Sequence, residues 1–457
     1  MRIASPIAAV VVLIVPAVWN RFPLLQYDTG GYLARWFEGT LVLSRSTTYG
    51  LFLVGAAPLD FWPAVVLQAA ATVWVIAVLL RTHRFRAYPF GLPAIVAALA
   101  ATTALPWLAS ILLTDIFAGL AVLALHAVVY HGDRISPRER AALIVFIAFA
   151  VSTHSGTYAV LLALCVTALV VSWVSAKLVP RTGLAHASMA MVLGAAMLLA
   201  GNYIVAKEIA WTPGGYGITF ARMLQDGIVT RYLDDHCPDP TLKLCPYRNE
   251  LPRDADVFLW GGGIFNKLGR FAGLEDEMRR IVLGSLRDYP AMQLRAALVA
   301  TARQLVAIGT GEGVLTTIWH TYGIIEHYTP ADVPAMRAAR QQKGELDFKT
   351  INAIDQPVAW AAMAFLPLLM LLGLRSPAFA ELGRLAATIV LALLANAAVC
   401  GVISNPHNRY GARIAWIAAF AGTLAVWRAG TLLYKRLITV RSAASAAAAA
   451  TSSAEML

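Results

Sequence analysis

The chain has 457 residues, of which 59% are hydrophobic and only 14% are charged, and its mean hydropathy is +0.64. Soluble domains carry charges at about a quarter of their positions, so this composition excludes a soluble protein and indicates a membrane protein with many spans. The formal net charge of +11 does not indicate nucleic-acid binding, because most basic residues stand in short gaps between apolar runs.

The first apolar run ends at Trp19 and is followed by a loop with a single acidic residue, Asp28, just after Tyr27. We predict a retained span rather than a cleaved signal peptide, because no small-residue cleavage pattern follows the run. Beyond the loop, apolar residues recur at helical spacing and predict an amphipathic helix on the membrane surface: Tyr32, Leu33, Trp36, Phe37 and Leu41. Asp28 could present an acid or base to a lipid-borne substrate, or it could N-cap this helix.

Apolar runs predict an all-α polytopic membrane protein of about ten transmembrane helices. They lie near 3–19, 60–80, 89–107, 115–130, 140–153, 157–174, 185–207, 357–373, 385–404 and 412–428. Basic residues follow the even-numbered spans: Arg81, Arg84, Arg86, Arg134, Arg138, Arg140, Lys177, Arg181, Arg375, Arg384, Arg428, Lys435 and Arg436. The positive-inside rule then places both termini in the cytoplasm and the odd-numbered gaps on the opposite side.

One long soluble-like segment, residues 211–356, interrupts the spans and is predicted to be an extracytoplasmic, mostly helical insert. Helices are expected near 218–233, 275–286 and 290–308, and Cys237 and Cys245 could form a disulfide in the Pro-rich loop between the first two. The predicted organisation is an N-terminal bundle over 1–210, the insert over 211–356, C-terminal helices over 357–440 and a disordered tail over 441–457.

Ionisable residues near the outer ends of the spans are functional candidates, because charges at membrane depth are costly. Four outer loops offer Asp28, Asp115, His154 and the pair His407 and Arg409. Structural alternatives exist: Asp115 could cap a helix, His154 could be a satisfied polar residue at a helix end, and Arg409 could snorkel to headgroups. Their joint occurrence on one face favours a shared site.

These features resemble the GT-C glycosyltransferases, multi-span enzymes that use polyprenyl-phosphate-linked sugars and include protein O-mannosyltransferases and lipid A aminoarabinose transferases. The resemblance rests on short motifs: YDTGGY at 27–32 before the amphipathic helix, RSTTYGL at 45–51, TDIF at 114–117, THSG at 153–156, and Arg409-Tyr410. It covers roughly the first 210 residues and the last 60. The Pro that often follows the Arg-Tyr pair is absent, and the insert is not matched.

The resemblance implies inverting transfer of one sugar from a polyprenyl phosphate to an acceptor hydroxyl of a glycan, lipid or protein, on the periplasmic face of a bacterial inner membrane. Asp28 would be the base. Asp115 would share that role or hold a divalent cation (Mg²⁺, Mn²⁺ or Ca²⁺) with it. Arg409, then Arg45 and His154, would bind the carrier phosphate. Further substrate contacts are expected from Tyr27, Tyr32, His407 and Tyr410.

Two other functions are consistent with the residue pattern. A lipid-linked glycan transporter or flippase would also have many spans, but it should show internal repeats and ionisable groups near the bilayer midplane. A polymer ligase of the O-antigen-ligase type, which joins a whole glycan chain to a lipid, needs similar residues.

Overall fold

The computed structural model describes residues 4–175 and 178–454, with side chains as far as residue 439. Within these ranges all regular structure is helical, apart from isolated bridges such as that between Leu24 and Ile111. Lys177, one of the basic residues used to orient the spans, and residues 455–457 of the predicted tail lie outside the described residues.

The helices fall into three stretches of the chain. The first holds α1 Ala4–Asn20, α2 Thr29–Glu38, α3 Thr47–Ala56, α4 Trp62–Thr82, α5 Gly91–Thr102, α6 Leu105–Ser110, α7 Asp115–Tyr130, α8 Pro137–Thr153, α9 Ser155–Val174 and α10 Arg181–Ala206. The second holds α11 Gly215–Gln225, α12 Ile228–His236, α13 Ala255–Trp260, α14 Ile264–Lys267, α15 Arg270–Asp288, α16 Pro290–Val306, α17 Trp319–Tyr328 and α18 Val333–Ala338. The third holds α19 Phe348–Arg375, α20 Ala380–Ala398 and α21 Asn408–Ala454, with a π-helical turn, Val399–Ile403, after α20.

Six helices in the described part of the chain are long and apolar enough to cross a membrane: Trp62–Thr82, Ser155–Val174, Arg181–Ala206, Phe348–Arg375, Ala380–Ile403 and Asn408–Thr439. The prediction of an all-helical fold is confirmed, and these six helices support a membrane protein. The predicted spans near 3–19, 115–130 and 140–153 fall on the shorter helices α1, α7 and α8. The predicted span 89–107 is divided into α5 and α6, because the chain is extended at Thr103; Pro106 then lies in the first turn of α6, where proline is tolerated.

Helix α7 runs through the middle of the bundle. Every residue from Asp115 to Val129 is buried, as expected of a helix that is apolar nearly all round and surrounded by others. Gly119 permits a close approach to α21, since a Cβ at this position would lie 2.7 Å from Nε1 of Trp416. The helix therefore carries Asp115 at one end of the bundle and His126 towards the other.

Helix α2 is packed more deeply than its amphipathic pattern predicts. All residues of its first two turns, 29–35, are buried, because α3 covers one side and α17, from the insert, covers another. Arg35 is buried as well and pairs with Glu38 at 2.7 Å. Protein therefore covers the first two turns of α2, whereas Phe37 at its end is 42% exposed; a position of α2 at the membrane surface stays a prediction.

The first half of the insert forms a second hydrophobic core of its own, built from α11 to α15 around residues such as Phe220, Phe258 and Met278. The helix predicted over 218–233 is two helices, because the chain turns through Gly227 with φ +77°. The structure contains a Cys237–Cys245 disulfide in the following loop.

The second half of the insert returns to the main bundle. Gln341 donates from Nε2 to the carbonyl of Leu25 at 2.7 Å and accepts the Leu25 N–H at 3.0 Å. Helix α19 begins at Phe348, ahead of the predicted boundary at 357, because Asp347 caps it by accepting the N–H groups of Lys349 and Thr350. Residues 308–347 therefore close over the same end of the bundle as the α1–α2 loop.

The backbone of residues 441–454, in the tail predicted to be disordered, continues α21 as far as Ala454. The alanine run accounts for this difference, because alanine has the highest helix propensity of all residues.

Candidate functional site

Asp28 lies at the end of the α1–α2 loop and is only 3% exposed. Its backbone N–H donates to Oε1 of Gln26 at 2.7 Å, which fixes the turn before α2. Although Asp28 precedes α2, its side chain makes no capping hydrogen bond. The geometry therefore does not support the capping interpretation, and the carboxylate faces other partners.

Two guanidinium groups hold the Asp28 carboxylate. Oδ1 pairs with Nη2 of Arg45, and Oδ2 lies 2.6 Å from Nη1 of Arg409. Burial alone would raise the pKa of Asp28, but the attraction of Arg45 and Arg409 outweighs it, so the pKa lies below its ordinary value. Asp28 is therefore a buried, ionised carboxylate with a cation on each oxygen.

Arg409 is held by aromatic rings and by one carboxylate. Its guanidinium carbon lies 5.2 Å from the ring centre of Tyr27 and 4.8 Å from that of Tyr410, and Nη2 donates to the Tyr410 hydroxyl at 3.2 Å. The side chain is 12% exposed, so it does not snorkel. Its Nε is buried without a hydrogen-bond partner among the described residues, which leaves one donor free.

Glu312 joins the site from the insert and was not predicted. It lies in the glycine-rich stretch 309–313, where Gly311 and Gly313 have φ of +89° and +78°. Its Oε2 accepts the backbone N–H of Arg409 at 2.9 Å, and its Oε1 lies 2.7 Å from Nδ1 of His407. An acidic residue flanked by glycines, within an otherwise unmatched insert, is the signal that could have identified it.

The environment of Glu312 favours its charged form. Burial raises the pKa of Glu312, but the hydrogen bond from His407 and the N–H of Arg409 more than offset burial, so the pKa lies below its ordinary value. Glu312 thus orders both His407 and the backbone at Arg409.

Asp115 and Arg409 line a small cleft at this end of the bundle. The other residues of its wall come from the α1–α2 loop, from α5–α7, from the 309–312 loop and from α21: Gln26, Ala104, Trp107, Leu108, Ile111, Leu113, Gly309, Thr310, Gly311, Glu312 and Ala412. Thr114, at the N-cap position of α7, makes no side-chain capping bond. The nearest ionic partner of Asp115 is Nη1 of Arg413, at 3.8 Å.

His154 is a hydrogen-bonded polar residue at a helix end, the structural alternative to a role in phosphate binding. Its Nδ1 accepts the backbone N–H of Gly156 at 3.1 Å and so caps α9. Nη1 of Arg413 lies 3.3 Å from the same nitrogen, and the guanidinium of Arg413 also donates to Oδ1 of Asn396 at 2.7 Å. His154 is therefore linked to the site through Arg413, a fully buried residue whose importance the sequence did not reveal.

The remaining predicted contacts surround the arginines. The ring of Tyr32 lies 5.7 Å from the guanidinium carbon of Arg45, and its hydroxyl is 3.5 Å from that of Thr114. Cys237 and Cys245 lie apart, in the second core.

Asp28 and Asp115 do not fit the divalent cation that the resemblance allowed. Both oxygens of Asp28 already face guanidinium groups, and two adjacent positive charges oppose a further cation. Hard divalent cations also require several oxygen ligands at short range. The residues present at this site therefore do not form a divalent-cation site.

Six charged side chains meet here, namely Asp28, Asp115, Glu312, Arg45, Arg409 and Arg413. The structure thus brings together the four that the sequence singled out and adds two more. The chain matches no protein-family model, no curated protein and no solved structure.

Proposed function

We propose that this protein is a membrane glycosyltransferase of the GT-C type, which moves a sugar from a polyprenyl phosphate carrier to an acceptor hydroxyl with inversion. The observation that carries the proposal is the buried Asp28 carboxylate held by Arg45 and Arg409 beside a cleft at one end of a helical bundle. Such a cluster supplies the two groups that the transfer needs, a cationic site for the leaving phosphate and a carboxylate base.

Arg409 is the principal ligand of the carrier phosphate. The planar guanidinium suits two phosphate oxygens at once, and its contacts with the rings of Tyr27 and Tyr410 orient it before the ligand arrives. Its Nε donor is unpartnered in the described structure. Arg45, with 18% of its side chain exposed, is the second cation.

Asp28 acts as the base only after the phosphate binds. While two arginines contact it, its proton affinity is low. A phosphate that draws these guanidinium groups away weakens their hold and raises the basicity of Asp28. The acceptor oxygen then bonds to the anomeric carbon while the bond from that carbon to the phosphate oxygen breaks. The hydroxyl proton passes to Asp28, and the electron pair leaves with the phosphate. Asp115, on the wall of the cleft, is the second carboxylate that could take the proton.

In this proposal about ten helices cross a bacterial inner membrane, with both termini cytoplasmic and the cleft facing the periplasm. The alternation of basic gaps along the sequence supports this orientation. A disulfide between Cys237 and Cys245 fits an insert that folds in an oxidising compartment.

The proposal is tested with the purified protein in lipid nanodiscs, supplied with polyprenyl-phosphate hexoses labelled in the sugar and with membrane glycolipid as acceptor. We expect sugar transfer by the parent, loss of transfer in Arg409→Ala and partial recovery in Arg409→Lys. Lysine keeps the positive charge but lacks the paired N–H donors that a guanidinium offers to two phosphate oxygens. Arg337→Ala is the control, because this arginine is 66% exposed and pairs with Glu326 on the insert surface.

Equal transfer by Arg409→Ala and the parent would contradict the phosphate assignment. Movement of the labelled lipid between leaflets without sugar transfer would instead identify a transporter. Transfer of a preassembled glycan chain, but not of a single sugar, would identify a polymer ligase.

A further inference from the structure

Three histidines meet at the end of the bundle opposite Asp115. His83 follows α4, His126 lies in α7, and His131 follows α7. Their exposures are 0%, 1% and 1%, and one ring nitrogen of each lies within 4.8 Å of the others. Their ring centres are 4.6 to 5.7 Å apart. The sequence analysis did not identify this cluster, because its members are spread over two helix ends.

Hydrogen bonds fix the tautomer of two of the rings. Nδ1 of His83 lies 3.0 Å from the carbonyl oxygen of Leu79, which can only accept, so Nδ1 carries the proton. Nδ1 of His126 lies 2.9 Å from Oγ1 of Thr388, whose own proton is donated to the carbonyl of Arg384. That hydroxyl therefore accepts from His126. In both rings the lone pair is on Nε2.

All three Nε2 atoms are buried and have no hydrogen-bond partner among the described residues. A buried lone pair without a donor is costly, and metal-binding histidines commonly donate their other nitrogen to a carbonyl or hydroxyl, as His83 and His126 do.

We propose that His83, His126 and His131 bind one transition-metal ion of the Zn²⁺ class through their Nε2 atoms. Imidazole nitrogens suit Zn²⁺, and three of them leave a fourth position for water or a carboxylate. Bonds of about 2.0–2.1 Å require the rings to close in by roughly 1 Å. The ion would join α4 to α7 and, through Thr388, to α20, and so act as a structural clamp.

The charges around the cluster limit which ion it accepts. Arg428 donates to the carbonyl of His83 at 2.6 Å and Arg134 to that of Thr82 at 2.6 Å, so two cations stand nearby. Glu381 pairs with Arg134 at 2.7 Å and so offsets one of these two positive charges. Neutral nitrogen ligands amid arginines disfavour Mg²⁺ and Ca²⁺, which require oxygen ligands.

The test uses the full-length protein in detergent, stripped with a chelator and titrated with Co²⁺ in place of Zn²⁺. We expect one equivalent to bind, with the visible absorption of a four-coordinate nitrogen site, and added Zn²⁺ to displace it. His126→Gln should weaken binding at least tenfold. His186→Gln is the control, since His186 is partly exposed on α10 near the same end of the bundle and lies outside the cluster.

A second measurement covers the case in which His126→Gln does not fold. Zn²⁺ added to the stripped parent should raise its Tm in a concentration-dependent manner, whereas Mg²⁺ should not. The proposal is overturned if the parent shows neither Co²⁺ absorption nor a Zn²⁺-dependent Tm, or if His126→Gln binds Co²⁺ as tightly as the parent.

Discussion

At the level of single residues, the proposed chemistry depends on Asp28 and on the two arginines that contact it, Arg45 and Arg409. The sequence identified Asp28 and Arg409 because charged residues are rare at the ends of apolar runs, and Arg45 through the resemblance to the GT-C enzymes. It could not show that they contact one another, since Asp28 and Arg409 are 381 positions apart. Asp28 therefore does not cap α2. Its pKa is lowered by Arg45 and Arg409, and it should rise when an anionic ligand draws these arginines away.

Asp28→Asn should abolish transfer while leaving the protein folded. The amide cannot take a proton, so a general-base contribution of about 10²- to 10⁴-fold in rate is lost. Because Arg45 and Arg409 lose their counter-ion, we also expect a stability loss of about 1–3 kcal/mol. Transfer rates and Tm values of Asp28→Asn and Asp115→Asn, compared with the parent, check this. Parental transfer by Asp28→Asn would leave Asp115 as the base.

Glu312 should make stability depend on pH in the acid range. A carboxyl group whose folded pKa is lowered adds stability above its ordinary pKa of about 4, and this stability disappears as pH falls through the folded value. Glu312→Gln should therefore lower Tm at pH 7 and reduce the fall in Tm between about pH 5 and pH 3.

Glu345→Gln provides the matched control for Glu312, because Glu345 pairs with Arg340 at the surface and is 43% exposed. It should retain the parental pH profile. Equal acid sensitivity of Glu312→Gln and the parent would show that the pKa of Glu312 is the same in the folded and unfolded protein.

The loop 309–313 brings Glu312 to the site. Its backbone has positive φ at Gly311 and Gly313, a conformation that glycine adopts readily. At Gly313, φ is +78°, and a Cβ would lie 2.2 Å from Nε2 of Gln26 and 2.3 Å from Cε1 of Tyr27. The loop therefore packs directly on the residues that flank Asp28 and Arg409. Sequence reasoning missed this because loop conformation, unlike helical periodicity, leaves little signal in residue order.

Gly313→Ala should therefore destabilise the protein and impair transfer, whereas Gly344→Ala should cost stability alone. Both positions have positive φ, which costs about 1–2 kcal/mol for alanine. At Gly344 the nearest atom to a Cβ is 3.7 Å away, so no clash is added. Denaturant unfolding and transfer assays distinguish the two variants. Equal effects of both would show that the packing of Gly313 against Tyr27 does not matter to the site.

Across the whole molecule, hydrophobic patterning predicted the helices well and their environments less well. The six long apolar helices follow directly from the length of the apolar runs. The burial of α2 was not predictable, because α17, which covers it, comes from nearly 300 positions further along the chain. The His83–His126–His131 cluster was missed because the packing of α4 against α7, which brings its members together, leaves no signal in the periodicity of either helix. Periodicity reports which face of a helix is apolar but not what packs against it.

The orientation of the whole protein remains a prediction, and it has a direct test. If the insert is periplasmic, Cys237 and Cys245 stay bonded in the cell, and unfolded, unreduced protein should not react with a thiol reagent at either position. Cys165 and Cys400 are free in the structure and serve as internal positive controls after unfolding. Free thiols at Cys237 and Cys245, or an active cytoplasmic reporter fused at Asn249, would reverse the assigned topology.

The central claim is that a carrier phosphate competes with Asp28 for Arg409. The most direct measurement is the affinity of a polyprenyl phosphate for the protein in nanodiscs, compared among the parent, Arg409→Ala and Asp28→Asn. We predict binding at least tenfold weaker in Arg409→Ala, because the main anion ligand is lost. Asp28→Asn should bind as tightly as the parent or more tightly, because the competing carboxylate charge is gone. Binding weakened equally by both substitutions would contradict the claim.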